Sequence, residues 1–301
     1  MQRLTQILMV VAILATLMMG AVALKFEGHP VHFVDNTPTQ ISPVVQRYAE
    51  VSRDAYLYAF PLLNSYRDLK RAMSDPRADD YLGSFNELRV RDGRESVGEI
   101  HVDAWLDLRT EPMLVHIPAG APIDSRIRLY NLFGQASAEI AGSQHKGSAG
   151  NYLVVSADWT GKKPMGITQV IRSDTDLLRL QGQTPGNNES PSNGAWHQQV
   201  ALVPLSAYVM EVPPQRAPRL KLPRWQESAM DSLEFIPYLN YMMQFIHPGR
   251  SDVEAWRRFA LIGVQPGTWS KPKRRVGAIA AGVSMAQAQL AEQQLATIRP
   301  N

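Results

Sequence analysis

The chain has 301 residues, enough for one large core or two modest ones, since single cores stop growing near about 250–300 residues. Hydrophobic residues make up 45% and charged ones 20%, a globular balance that excludes global disorder, and a net charge of +3 is too mild to point to nucleic acid. With no cysteine, the chain has no disulfide, no thiol nucleophile, no Cys-ligated zinc or iron–sulfur site and no lipoprotein attachment, and neither a metal nor a cofactor is expected.

In chain order, Arg3 precedes an uncharged apolar stretch from Ile7 to Leu24, which ends at Lys25. Ala21 and Ala23 supply an Ala-x-Ala cleavage pattern, so residues 1–24 read as a signal peptide or as a transmembrane anchor. The polar segment that usually precedes a cleavage site is missing, which favours the anchor. One basic residue before the run and no basic cluster just after it fit an N-in orientation. The expected location is the bacterial inner membrane facing the periplasm through residues 7–24, or the soluble periplasm if cleavage follows Ala23.

Residues 25–41, with Gly28, Pro30 and Pro38, read as an extended linker. Ser42 and Pro43 form a helix start. Val45, Tyr48, Val51, Ala55, Tyr58, Leu62, Tyr66, Leu69 and Met73 then recur at helical spacing and predict a long amphipathic helix interrupted at Pro61. From Gly98 the period changes to two, predicting strands at 99–108, 113–117, 126–132, 151–156, 167–172 and 177–181, with a turn-rich loop at 185–194. After Pro223 helical patterns return at roughly 226–246, 252–262 and 276–298. The fold class is α+β: an antiparallel β-sandwich or jelly-roll-like core with a long N-terminal helix and C-terminal helices. The main domain is placed at 42–223 and a helical extension at 224–301.

Several blocks in this order resemble one bacterial family. AYLYAFPLL (55–63), AWLDLRTEP (104–112), GSAGNYLVVSADWTGKKP (147–164), LVPLS (202–206) and GVQPG (263–267) are similar to the family called domain of unknown function 1254. The resemblance implies a β-rich, jelly-roll-like domain with no settled activity, commonly followed by a second domain, the domain of unknown function 1214. That second domain is missing here, so a separate chain supplying it, or self-association into a homo-oligomer, is an expected partnership. The family usually carries Pro-Asn-x-Asp-Thr-Leu-Tyr before AWLDL, where this chain has Glu95 to His101, and its Gly-x-Arg and Gly-Arg-Thr motifs read Gly142-Ser143-Gln144 and Gly182-Gln183-Thr184. No family catalytic residue is therefore carried over.

The segment EIHVDAWLDL poses the functional question directly. Side chains alternate along a strand, so Glu99, His101, Asp103, Trp105 and Asp107 share one face and Ile100, Val102, Ala104, Leu106 and Leu108 the other. His101 with Glu99 or Asp103 is a candidate acid–base group; Glu99 and Asp103 themselves would lie about 13 Å apart, too far for a paired-carboxylate mechanism. An antiparallel strand with one face on the core and one in water produces the same alternation without chemistry, and that reading is favoured. Asp107 is expected to accept backbone hydrogen bonds at the turn through Thr110, Glu111 and Pro112. Trp105 and Trp159 are candidate ligand-binding residues, with Trp196 a further aromatic; core packing is the commoner use. His29 and His32 lack a third ligand, His116 reads as a satisfied half-buried residue, and His145 and His247 as a loop and a helix-end residue. The leading expectation is an exported envelope protein that binds a partner protein or a small apolar ligand; the alternative is a periplasmic hydrolase acting on an envelope or hydrophobic substrate.

Overall fold

Ala49, Ser52, Ala55, Tyr56, Ala59, Leu62, Leu63, Tyr66, Leu69 and Ala72 follow the three-to-four spacing of a buried helix face, and they are the buried residues of α1 (Pro43–Ser74). The computed structural model describes residues 42–92, 100–120, 124–140, 148–184, 192–210 and 218–298. The 7–24 segment, the 25–41 linker, Glu99, His29, His32 and His145 lie outside the described residues. Among the described residues no helix is long and apolar enough to cross a membrane.

Pro61 does not interrupt α1, contrary to expectation. A proline inside a helix costs about 3 kcal/mol, but Ala59, Leu62, Leu63 and Tyr66 around it are fully buried, and packing of this kind outweighs local propensity. Ser42 precedes α1 as expected, with Pro43 in its first turn, but makes no capping hydrogen bond.

The strands are β1 (Arg89–Asp92), β2 (Ile100–Asp107), β3 (Met113–Ile117), β4 (Arg126–Tyr130), β5 (Ala136–Glu139), β6 (Gly150–Ser156), β7 (Gln169–Ser173), β8 (Leu177–Thr184) and β9 (Ala201–Pro204). They form a five-stranded sheet in the order β1-β2-β8-β4-β5 and a four-stranded sheet in the order β7-β6-β3-β9. Every pairing is antiparallel except β6 with β7, which is parallel. The three strands missed by the sequence, β1, β5 and β9, have four residues each, too few to show a period of two. A short helix, α2 (Ser192–Gln199), also starts inside the expected 185–194 loop.

Val102, Leu106, Ile127, Leu129, Leu178 and Leu180 from the first sheet join Met113, Val115, Ile117, Tyr152 and Val154 from the second in one apolar core. Helix α3 (Leu205–Val209) adds Leu205 and Tyr208 to a smaller cluster with Leu114, Leu153, Val155 and Trp159 of the second sheet and its loops. A third cluster takes Trp105 and Leu177 of the first sheet, α1, α4 (Phe235–Met243), α5 (Arg250–Phe259) and α6 (Val276–Ile298). Helical cover explains why the polar face of β2 is not wet. Asp103, Trp105 and Asp107 are only 7%, 2% and 3% exposed, so the expectation of one solvated face fails.

Residues 218–225 run without secondary structure, and five of their carbonyls are held by side chains instead. Arg109 donates to Pro218 O (2.9 Å), Tyr241 to Lys221 O (3.0 Å), Lys70 to Leu222 O (3.3 Å), Tyr66 to Pro223 O and Tyr238 to Arg224 O (both 2.5 Å). Burial raises the Tyr66 hydroxyl far above its ordinary range and pushes Tyr241 up to about 12, so both remain neutral donors at any physiological pH. Tyr66→Phe leaves a carbonyl without its donor, and thermal or urea unfolding should show a loss of about 1–3 kcal/mol; a loss below about 0.5 kcal/mol would mean that water replaces the hydroxyl.

Candidate functional site

The strap formed by residues 218–222 lies along one side of a cleft whose floor is the end of β2. Asn86 prepares that end. It adopts a left-handed conformation (φ 61°), tolerated by Asn, and its side chain accepts from Asp107 N (2.8 Å) and donates to Asp107 O (3.3 Å). With the backbone so fixed, the Asp107 carboxylate receives Arg109 N (3.1 Å), Nε (2.9 Å) and Nη2 (2.7 Å). The expected turn role of Asp107 is therefore present, with an added two-pronged grip on the guanidinium. Beside that carboxylate the Arg109 side chain is pushed above its already high ordinary value and stays charged.

The cleft encloses about 660 Å³ between Lys70, Met73 and Ser74 of α1, Gly83, Phe85 and Asn86, Asp107 and Arg109, and Pro218 to Leu222. Four cations line it, Lys70, Arg109, Arg219 and Lys221, against the single carboxylate of Asp107. That carboxylate is already spent on Arg109. Arg219 and Lys221 are exposed, and among the described residues neither side chain meets a carboxylate.

Other candidates fall elsewhere. Asp103 is gripped by Arg91 and lies 3.7 Å from Arg179, so this carboxylate serves an ion-pair network at the helix–sheet boundary. His101, half-buried, pairs with Arg91 of β1 and Gln183 of β8 across the sheet. Glu99, the other proposed acid, lies outside the described residues. Trp105 forms the floor of a second cavity on the opposite flank of α1, while Trp159 packs in the cluster over the second sheet. Trp196 is buried, with its indole donating to Pro118 O (3.1 Å), and His116 is half-buried against Asn151 Oδ1 (2.8 Å), both as expected. Among the described residues no three His, Asp or Glu side chains are grouped to hold a metal ion.

A serine, a histidine and two aspartates also meet, a grouping the sequence did not reveal because its members lie 91 residues apart at the extremes. His247 Nε2 lies 2.7 Å from Asp176 Oδ1 and 2.9 Å from Ser156 Oγ, and Ser156 Oγ lies 2.7 Å from Asp158 Oδ1. A catalytic triad uses one imidazole nitrogen for the serine and the other for the acid. Here the same nitrogen faces both, so an N–H given to Asp176 leaves no lone pair to take the serine proton. The Ser156 hydroxyl, followed by His247 and Arg172, holds the Asp158 carboxyl below its ordinary value. The cluster is a clasp: Asp176 N donates to Phe245 O (2.9 Å) and His247 N to Asp174 O (2.8 Å), joining the segment after α4 to the sheet.

Among solved structures, the chain is similar to the VPA0106 protein from Vibrio parahaemolyticus, with 19% identity and a TM-score of 0.66 over 81% of this chain and 59% of that one. The likeness is one of fold, and this chain spans about three fifths of that protein's length. A second structure, an uncharacterized protein from Burkholderia cenocepacia, is 11% identical over 58% of this chain and 50% of that one, with a TM-score of 0.29, too low to establish a shared fold. No curated protein matches the chain. Residues 99–204, the stretch from β2 to β9 that holds both Asp107 and Arg109, match the model of the family described as Protein of unknown function (DUF1254).

Proposed function

We propose that the chain is a non-enzymatic binding protein whose cationic cleft holds a small molecule bearing two or three carboxylate or phosphate groups. The observation that carries this reading is the imbalance of four cations against one spent carboxylate around about 660 Å³. Arg219 and Lys221 sit on a strap fixed through the carbonyls of Pro218, Lys221 and Leu222, so their side chains are presented at low reorganisation cost. An apolar ligand suits this lining poorly, because hydrocarbon would desolvate cations without compensating them. An acid–base role for His101 finds less support: its neighbour Asp103 is committed to Arg91.

Calorimetric titration with citrate and with inorganic pyrophosphate tests the reading. Wild-type protein should bind at least one of them, and the double variant Arg219→Glu/Lys221→Glu should bind at least about tenfold more weakly, a change of about 1.4 kcal/mol. Affinity should also fall as salt is raised. Absence of binding to both anions, or equal affinity in the double variant, would remove the cleft from consideration.

The same proposal keeps the chain outside the cytoplasm, either tethered by residues 7–24 or released into the periplasm. It also keeps a second chain, or another copy of this one, as a partner. These parts rest on the sequence alone. Intact mass and membrane partition in the native envelope decide between tether and release.

A further inference from the structure

On the opposite flank of α1 a cavity of about 410 Å³ opens between the helix and the first sheet. Its floor is a cross-strand row, because Trp105 of β2 and Tyr130 of β4 both stand directly opposite Arg179 of β8. Pro61, Ser65 and Asp68 of α1 form the facing wall, and Phe133 and Gln181 close the sides.

Arg179 is unusual in its partners. Its guanidinium lies 3.5 Å from the Asp68 carboxylate and 3.7 Å from that of Asp103. Charge-assisted hydrogen bonds are about 2.7–2.9 Å long, so neither acid completes one. With the Gln181 amide turned so that its oxygen faces the guanidinium, that oxygen accepts from Nη2 (3.0 Å) and Nε (3.2 Å) and leaves the amide NH₂ pointing away. A half-buried cation thus lies within ion-pair distance of two carboxylates without a direct hydrogen bond to either, beside aromatic walls.

The chemistry of a group that fits between Asp68 and Arg179 is restricted. It must donate to the carboxylate and accept from the guanidinium at once. A ligand carboxylate only accepts and is repelled by Asp68 and Asp103, and an ammonium only donates and is repelled by Arg179. An alcohol does both. Tyr130 and Phe133, both half-buried, offer apolar surface to the C–H side of a ring whose hydroxyls point outward, over the buried indole of Trp105. We infer that this cavity binds a neutral polyhydroxylated ring, a saccharide or cyclitol, with one hydroxyl bridging Asp68 and Arg179. The site is separate from the cationic cleft in residues and in charge, so either proposal can fail alone.

Three sugars of one ring shape test it: methyl glucoside, glucuronate and glucosamine, with myo-inositol as a second neutral ring, each titrated at millimolar concentration into the full chain. At least one of the neutral rings should bind, and both charged sugars should bind at least tenfold more weakly than the tighter-binding neutral ring. Arg179→Gln should abolish binding of the neutral ring while leaving citrate binding unchanged. Should Arg179→Gln fail to fold by circular dichroism, Asp68→Leu reads the same bridge from the partly exposed helix side and should cost at least tenfold. No binding of either neutral ring, either charged sugar binding as tightly as the better neutral ring, or full affinity in Asp68→Leu would overturn the inference.

Discussion

Asp107→Ala should lower the unfolding free energy by about 3–5 kcal/mol, the range for removing one partner of a buried ion pair. The carboxylate is 3% exposed and accepts three hydrogen bonds, all from Arg109. Its loss leaves a partly buried guanidinium with the Pro218 carbonyl as its remaining oxygen partner, which does not neutralise charge. The turn after β2 and the start of the strap should loosen together, so anion binding in the cleft should weaken in parallel. Urea unfolding of Asp107→Ala, Arg109→Ala and the double variant separates the terms. Because the two side chains act as one unit, the double variant should lose less than the sum of the single ones. An Asp107→Ala protein within about 1 kcal/mol of wild type would show that water solvates the guanidinium and that the pair is not what fixes the cleft.

Gly282→Ala should be nearly as damaging, at about 3 kcal/mol, the upper end for forcing atoms into a packed interior. A Cβ on Gly282 would stand 2.2 Å from Ala49 O, 2.6 Å from Ser52 Cβ and 2.9 Å from Arg53 N, so α6 would have to move off the backbone of α1. That movement would also break the buried hydrogen bond from Ser52 Oγ to Ile279 O (2.8 Å). In an isolated helix the same change gains up to about 1 kcal/mol, so a destabilised protein isolates the packing effect. A thermal melt of Gly282→Ala unchanged from wild type would mean that the two helices do not approach this closely.

The same helix pair shows what was legible in the sequence. Ile279, Val283 and Ala286 lie on one helical face, and their spacing placed the helix over 276–298, where α6 is found. Nothing in the spacing shows that Gly282 touches α1, because its partners Ala49 and Ser52 are more than 200 residues away in the chain. Likewise, the alternation in β2 separated Val102, Ala104 and Leu106, which enter the core between the sheets, from Asp103, Trp105 and Asp107. It predicted water on the second face, since a period reports how a strand divides its own side chains and not what lies over them. Trp105 and Asp107 stood out in that alternation, but the cover that makes them neighbours of two cavities was not visible. The strap was the least legible part. The order of the strap and of the residues just after it comes from Tyr66 and Lys70 on α1, Tyr238 and Tyr241 on α4, and Arg109 after β2, five donors on three elements, and none has a local sequence signature. Pro61 misled for the converse reason: a strong local signal was overridden by buried neighbours.

An anion seated between the strap and the end of β2 would shield the backbone around it. In hydrogen–deuterium exchange of the full chain with and without saturating citrate, exchange should slow at the amides of 219–222 and 107–109, with α6 unchanged. Unaltered exchange at those amides, or protection confined to another surface, would contradict that seating.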